Sequence, residues 1–335
     1  MSDTEKADSE LREGAQAPSA PVLALPAPAV PERLVVKTLP RTGPEKAARP
    51  LPKRKTAPKK PETPRILTTG RSEVTLEDAI RQGRAAEAIL DEIEREEAGG
   101  AKSRRNAAEP ALVLHTRPWS ESSLVADVLT ARSGRLFMIA KGAKRPGSNL
   151  RGVLVPFSLL RMTWSGKREA KILMRAERLG GLPTLTGEAL LSAFYVNELV
   201  LRLTERDDPH PGLFAAVVRA VAHLGDPDPV ERQRTLRRFE SELLACCGWP
   251  VLVTEGKDMP RFVLRATGEL TGISEEAAEG LKTWGRAEVE DVIAGRLERA
   301  EALRAAREIY REAIELRLDG RPLRTRRVLA ELKRI

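Results

Sequence analysis

The sequence predicts an α+β multidomain protein: a long disordered N-terminal arm, then an OB-fold β-barrel, then an all-helical domain carrying a small β insert. Three observations predict it. Half of the 24 prolines fall before Arg65. From Ala111 onward, apolar residues alternate with a period of two in five short runs. Beyond Pro183 the apolar period lengthens to that of a helix, about 3.6 residues, with one short interruption. The boundaries implied are 1–108 for the arm, 109–182 for the barrel and 183–335 for the helical domain.

In the arm, proline interleaved with Ala, Lys and Glu removes backbone donors. Too few large apolar groups remain to offset the entropy of ordering. Within it, Ala48–Lys60 (ARPLPKRKTAPKK) is a basic cluster that reads equally as a phosphate-binding tether or as solubilising linker charge. A short helix is expected within 76–95, where Leu76, Ile80, Ile89 and Ile93 recur near helical spacing after a candidate cap at Thr75. It reads as a helix that docks on a partner or as one that frays on a linker.

The five strands are expected at Ala111–Thr116, Leu124–Thr130, Arg135–Lys141, Val153–Trp164 and Glu169–Leu179. Turn residues separate them, among them Ser133-Gly134, Pro146-Gly147 and Ser165-Gly166. Five strands in so short a span form a barrel of OB type, with a five-stranded SH3-like barrel as the competitor. The helical domain opens at Glu188 behind a candidate cap at Thr186, and the first helix stops at Asp207–Pro211. Helices follow over Leu213–Leu224 and from Pro229 to a glycine stop at Gly248. Val251–Ile273 contains short β-like runs. A long amphipathic helix over Leu297–Leu318 and a short basic one complete the chain.

Several functions lack their residues. No apolar run is long enough to span a bilayer and no secretory signal is visible, so a cytoplasmic location without membrane attachment is expected. Cys246 and Cys247 are helical neighbours without a second pair, which predicts buried thiols and no metal. The three histidines, His115, His210 and His223, show no ligand spacing and no adjacent nucleophile, and no phosphate-cradling glycine loop is present. An enzyme is not expected, nor any cofactor.

Charge is more informative. The net charge is +9, which favours an anionic partner. Between Pro110 and Leu182, 13 Lys and Arg stand against 4 Asp and Glu, an excess equal to that of the whole chain. The densest stretch is KGAKRPGSNLR, with Lys141, Lys144, Arg145 and Arg151 beside glycines that let a phosphodiester backbone come close. Arg135, Lys167 and Arg168 are expected to extend that face, giving seven candidate DNA contacts. Trp119 is the candidate for base stacking, whereas Phe137 and Phe157 are expected in the core.

These blocks resemble a known family. HTRPWSESSLVADVLT, SGRLFMIAKGAKR and VPFSLLRMTWSG are similar to the OB domain of the bacterial recombination mediator RecO. ALLSAFYVNELVLRLTERDDPHPGLF, LRRFESELLACCGW and RPLRTRRVL are similar to its helical domain. The resemblance runs from about residue 111 to the last residue and implies a nucleoid-associated DNA-repair protein that is not an enzyme. It implies binding of single- and double-stranded DNA, annealing of complementary strands, and partnership with RecR. It also implies capture of the acidic, phenylalanine-ending tail of single-stranded-DNA-binding protein (SSB), and indirect service to RecA. Arg237 and Arg238, beside Phe239, Leu243 and Leu244, are the candidates for that tail, the three apolar residues being expected in the core. Many relatives carry a four-cysteine zinc module where this chain has 251–273, which contains no cysteine, so a degenerate, zinc-free insert is expected. Two other readings stay open: an adaptor for acidic protein tails, and an RNA-binding OB protein.

Overall fold

The computed structural model describes residues 76–98, 108–166, 169–210 and 212–332, without the side chains of 76–83, 96–98 and 332. The proline-rich part of the arm, the basic cluster Ala48–Lys60 and the candidate cap Thr75 lie outside the described residues.

Five strands, β1 (Glu109–Pro118), β2 (Leu124–Thr130), β3 (Arg135–Ala140), β4 (Leu159–Ser165) and β5 (Ala170–Arg178), close a barrel in the order β1-β2-β3-β5-β4. The β3–β5 pair is parallel and β1 pairs with β4, which gives the OB-like barrel rather than its SH3-like competitor. The β2–β3 turn uses Ser133-Gly134, with Gly134 at φ +72°. Glu109 braces that turn, its carboxylate accepting from Ser133 N–H at 2.8 Å and from the Ser133 hydroxyl at 2.9 Å. Ala111, Val113, Val128, Leu136, Met138, Leu160 and Met162 fill the interior.

The fourth strand begins six residues later than expected. Val153–Ser158 instead belongs to the long β3–β4 connection. Pro156 lacks a ladder donor, and Phe157 turns to φ +67° to pack edge-on against Phe194, ring centroids 5.1 Å apart.

Four helices, α2 (Gly187–Leu203), α3 (Leu213–His223), α4 (Pro229–Cys246) and α6 (Ala300–Arg317), carry the second core. Asp228 caps α4 by accepting from Val230 N–H, with Pro229 in the first turn. Thr186 occupies the cap position of α2 without a side-chain bond. The insert is a small sheet, β6 (Val253–Glu255), β7 (Arg261–Leu264), β8 (Leu270–Ile273) and β9 (Trp284–Gly285), in the order β6-β8-β7-β9. Its fourth strand lies beyond the stretch read from sequence, because two residues are too few to show a period. Phe262, Leu270 and Trp284 bury it in the helical core. Gly272 is required there, since a Cβ would stand 1.9 Å from the Gly256 carbonyl oxygen. α5 (Arg286–Ile293) and α7 (Arg324–Leu332) complete the elements.

The helix expected within 76–95 is α1 (Leu76–Ala98). Ala86, Leu90 and Ile93 are buried in the helical core, so α1 docks on its own chain, against α3.

The two cores meet across the outer face of the barrel, where Leu112, Leu114, Leu129 and Leu159 join the helical cluster. A β-bulge in β1 makes Leu114 an extra residue between the pairs Val113↔Val128 and His115↔Asp127. Its carbonyl therefore has no ladder partner, and Asn197 of α2 donates to it at 2.7 Å while fully buried. Asn197→Ala should destabilise the chain by about 1–3 kcal/mol, because it strands a buried carbonyl. Urea unfolding followed by circular dichroism checks this, the expected change being a lower midpoint at unchanged slope.

Candidate nucleic-acid interface

The basic loop is built by anchoring its apolar residues and leaving its cations outside. In the connection from Lys141 to Ser158, Ala143 and Leu154 are buried in the barrel core, with Leu150 and Val153 packed beside them. Short turns hold the rest: Arg145 N–H donates to the Gly142 carbonyl at 3.0 Å, and Ser148 N–H to the Arg145 carbonyl at 3.0 Å. Gly142 sits at φ +70°, and the Arg145 side chain lies 3.5 Å from where a Cβ would stand.

This connection is tied to the β1–β2 loop. Lys144 N–H donates to the Ser122 carbonyl at 2.9 Å and Lys144 Nζ to the Ser120 carbonyl at 3.1 Å. Trp119 of that loop is 59 % exposed. Lys141, Arg145 and Arg151 are exposed and Lys144 half-buried. Among the described residues no carboxylate pairs with any of the four. The fold thus places Trp119 beside the part of the basic loop that carries Lys144.

Two exposed cations that no carboxylate pairs with among the described residues were not singled out by sequence reasoning. Arg178 of β5 reaches the far end of the connection, donating to the Gly152 carbonyl at 3.1 Å. Arg117 stands exposed on β1, its guanidinium 5.8 Å from the Phe137 centroid. The signal for Arg117 was present in the alternation of β1, two residues before Trp119. For Arg178 no local signal existed.

Arg135 must be corrected. It is only 8 % exposed, and its guanidinium pairs with Asp127 at 3.4 Å and donates to the Thr204 carbonyl at 2.6 Å and hydroxyl at 3.2 Å. Burial pulls its pKa down, partly offset by Asp127. It joins the barrel to the residues after α2 and does not face a ligand. Phe137 is buried, as expected, although it lies on the outer barrel face rather than within either of the two packed clusters. Phe157 packs against the helical core, as expected. Lys167 and Arg168 lie outside the described residues.

Comparison with known proteins decides the family. The family model "Recombination protein O N terminal" matches residues 105–181, and "Recombination protein O C terminal" matches 185–255. The chain is 41 % identical over 245 residues to the DNA repair protein RecO of Azoarcus sp. (strain BH72), covering 69 % of this chain and 98 % of the relative. It is 40 % identical over 249 residues to that of Aromatoleum aromaticum, covering 70 % of this chain and all of the relative (100 %). The chain belongs to the RecO family.

The RecO helical domain carries a second feature. Arg237 and Arg238 do not act together, because adjacent positions on α4 point to different sides. Arg238 is exposed over a groove between α3 and α4 that it shares with Arg219 and His223. Arg237 is buried, pairs with Glu240 at 2.8 Å, and lies in the wall of another groove of about 410 Å³. As expected, Phe239, Leu243 and Leu244 are core. The larger groove is also lined by Tyr195, Arg307, Arg311 and Arg326, with Leu236 and Leu329 as apolar surface. Tyr195 donates to Glu240 at 2.6 Å, and Arg326 lies over the Tyr195 ring at 5.6 Å. Burial raises the Glu240 carboxyl and the Tyr195 phenol well above their usual values. Arg237 Nε and Glu240 Oε2 are buried without a partner.

Among the described residues no group of three or more His, Cys, Asp or Glu is arranged to hold a metal ion. Cys246 and Cys247 are half-buried rather than fully buried, and burial pushes the Cys247 thiol up to about 11. No helix of the described residues is long and apolar enough to cross a membrane.

One wall of the larger groove is α7, and Glu198 of α2 holds its first turn. The carboxylate accepts from Arg324 N–H at 2.8 Å, Thr325 N–H at 2.9 Å and the Thr325 hydroxyl at 2.7 Å. Burial alone would raise this carboxyl, but the bonds from Thr325 and Arg324 outweigh it and hold it below its ordinary value. A depressed carboxyl stabilises above its ordinary pKa and loses that contribution as pH falls through the lowered one. Glu198→Ala should therefore loosen α7 by about 1 kcal/mol at neutral pH, and the difference from wild type should close in acid. Amide hydrogen exchange of α7 as a function of pH checks this.

Proposed function

We propose that this chain is a DNA-repair recombination mediator that binds single- and double-stranded DNA along the rim of its barrel and anneals complementary strands. The observation that carries the reading is the gathering of unpaired cations on the β3–β4 connection, with exposed Trp119 beside it. Cations displace condensed counterions from phosphates, while an indole offers a face to any base, so contact is independent of sequence. No chemical step is involved; the work is holding two backbones close enough to pair.

Lys144→Ala with Arg145→Ala should weaken single-strand binding and flatten the salt dependence of the affinity by about 0.7 per lost phosphate contact. Anisotropy titrations at several salt concentrations measure both. An unchanged slope would move the interface elsewhere. Competition between matched RNA and DNA strands in the same assay decides the RNA reading.

The partner reading is RecR and the tail of SSB, with RecA served indirectly once SSB is displaced. The larger groove supports the tail because it sets Arg307, together with Arg311 and Arg326 that share the single carboxylate of Glu315, around apolar Leu236 and Leu329, matching carboxylates followed by an aromatic ring. Arg307→Ala with Arg311→Ala should weaken binding of an acidic peptide ending in phenylalanine by about tenfold. It should leave binding of naked DNA unchanged. Annealing of SSB-coated complementary strands, followed with and without RecR, tests the function as a whole.

A further inference from the structure

On an OB barrel the outer face of β2 and β3 and the loops beside it are where single strands commonly lie. Here that face carries one aromatic ring, Phe137. It belongs to neither core, yet only 8 % of it is exposed. Its cover comes from Arg117 of β1, whose guanidinium lies 5.8 Å from the ring centroid, and more closely from the connection between α2 and α3. The Arg206 guanidinium lies 4.5 Å from the centroid of the ring, at the distance and on the face where a base would stack.

Arg206 is held there by two carboxylates of the barrel. Its Nη2 is 3.4 Å from Asp127, and its Nη1 pairs with Glu169. The backbone around it is fastened as well. Asp207 N–H donates to the Arg135 carbonyl at 2.9 Å, and Lys171 pairs with Asp207 at 2.7 Å. Gly134 admits the connection, because a Cβ there would lie 2.2 Å from the Asp208 carbonyl oxygen. The cation on the ring is also neutralised by its carboxylates, so it adds little attraction for phosphate.

From this arrangement we infer that Arg206 closes a latent nucleobase site on Phe137 and so determines that single strands are held by their backbone on the rim. The inference rests on the DNA-binding reading and deepens it by assigning sequence-independent contact to one residue. In this protein a base reaches Trp119 but not Phe137. Removing the guanidinium would add a stacking platform that the barrel already contains.

The test uses the full chain and a labelled oligonucleotide of about 15 deoxythymidines, read by anisotropy. Arg206→Ala with Glu169→Gln uncovers the part of the ring that Arg206 covers, at unchanged net charge and with Arg117 left in place, and should bind at least about fivefold tighter than wild type. Phe137→Leu alone should bind as wild type does, and Phe137→Leu added to the double variant should abolish the gain. Thermal melts accompany each protein, and Arg206→Gln with Glu169→Gln, which keeps side-chain length, serves if the alanine variant does not fold. The inference is overturned if Phe137→Leu alone weakens binding, since the ring would then already hold a base. It is also overturned if the uncovered variant binds no tighter, since no site would lie behind Arg206. If Lys144→Ala with Arg145→Ala abolishes binding while the Arg206 variants change nothing, this inference alone fails. Should wild type bind no oligonucleotide, the DNA-binding reading fails with it.

Discussion

One buried guanidinium ties the barrel to the helices. Arg135 begins β3, yet its donors go to Asp127 on the neighbouring strand and to the carbonyl and hydroxyl of Thr204 at the end of α2. A charge taken out of water is tolerated only where its donors are matched, and this one is matched from both domains at once. The barrel and the helices therefore share a polar joint as well as the apolar seam of Leu112, Leu114, Leu129 and Leu159. Asn197 adds a second polar tie where the β1 bulge frees a carbonyl. The relation between the two domains follows from these ties.

That relation decides what the barrel can offer a ligand. With the α2–α3 connection fastened across β2 and β3, the rim keeps cations without a carboxylate partner among the described residues: those of the β3–β4 connection, Arg117, and Arg178 at the far end. The rim is held by apolar anchors, Ala143 and Leu154, rather than by ion pairs. Among the described residues no carboxylate pairs with the cations of the β3–β4 connection. On the helical side the balance is different. Arg237, Glu240 and Tyr195 form a buried network with two atoms unsatisfied, next to a groove open to solvent.

The helix α1 lies before the residues that the family models match and packs on α3 of the helical domain. Its periodicity announced a helix, read as docking on a partner or fraying on a linker, and packing on its own chain was invisible locally. Ile89 lies where a Cβ on Gly181 would meet it at 2.6 Å, a contact between residues far apart in sequence.

By itself the sequence determined the order of parts, the barrel of five short strands, the helices and their stops, and the concentration of charge near Lys144. These depend on period, turn residues and composition, all of which are local. The insert without cysteines was equally plain. Only the tertiary structure decided which arginines are free. Arg135 and Arg145 read alike as candidate DNA contacts, yet one is enclosed by Asp127 and Thr204 and the other faces water. Arg237 and Arg238 are neighbours, and α4 turns them into separate grooves. The availability of a charge depends on what the rest of the chain brings to it, and that is settled by packing between distant segments.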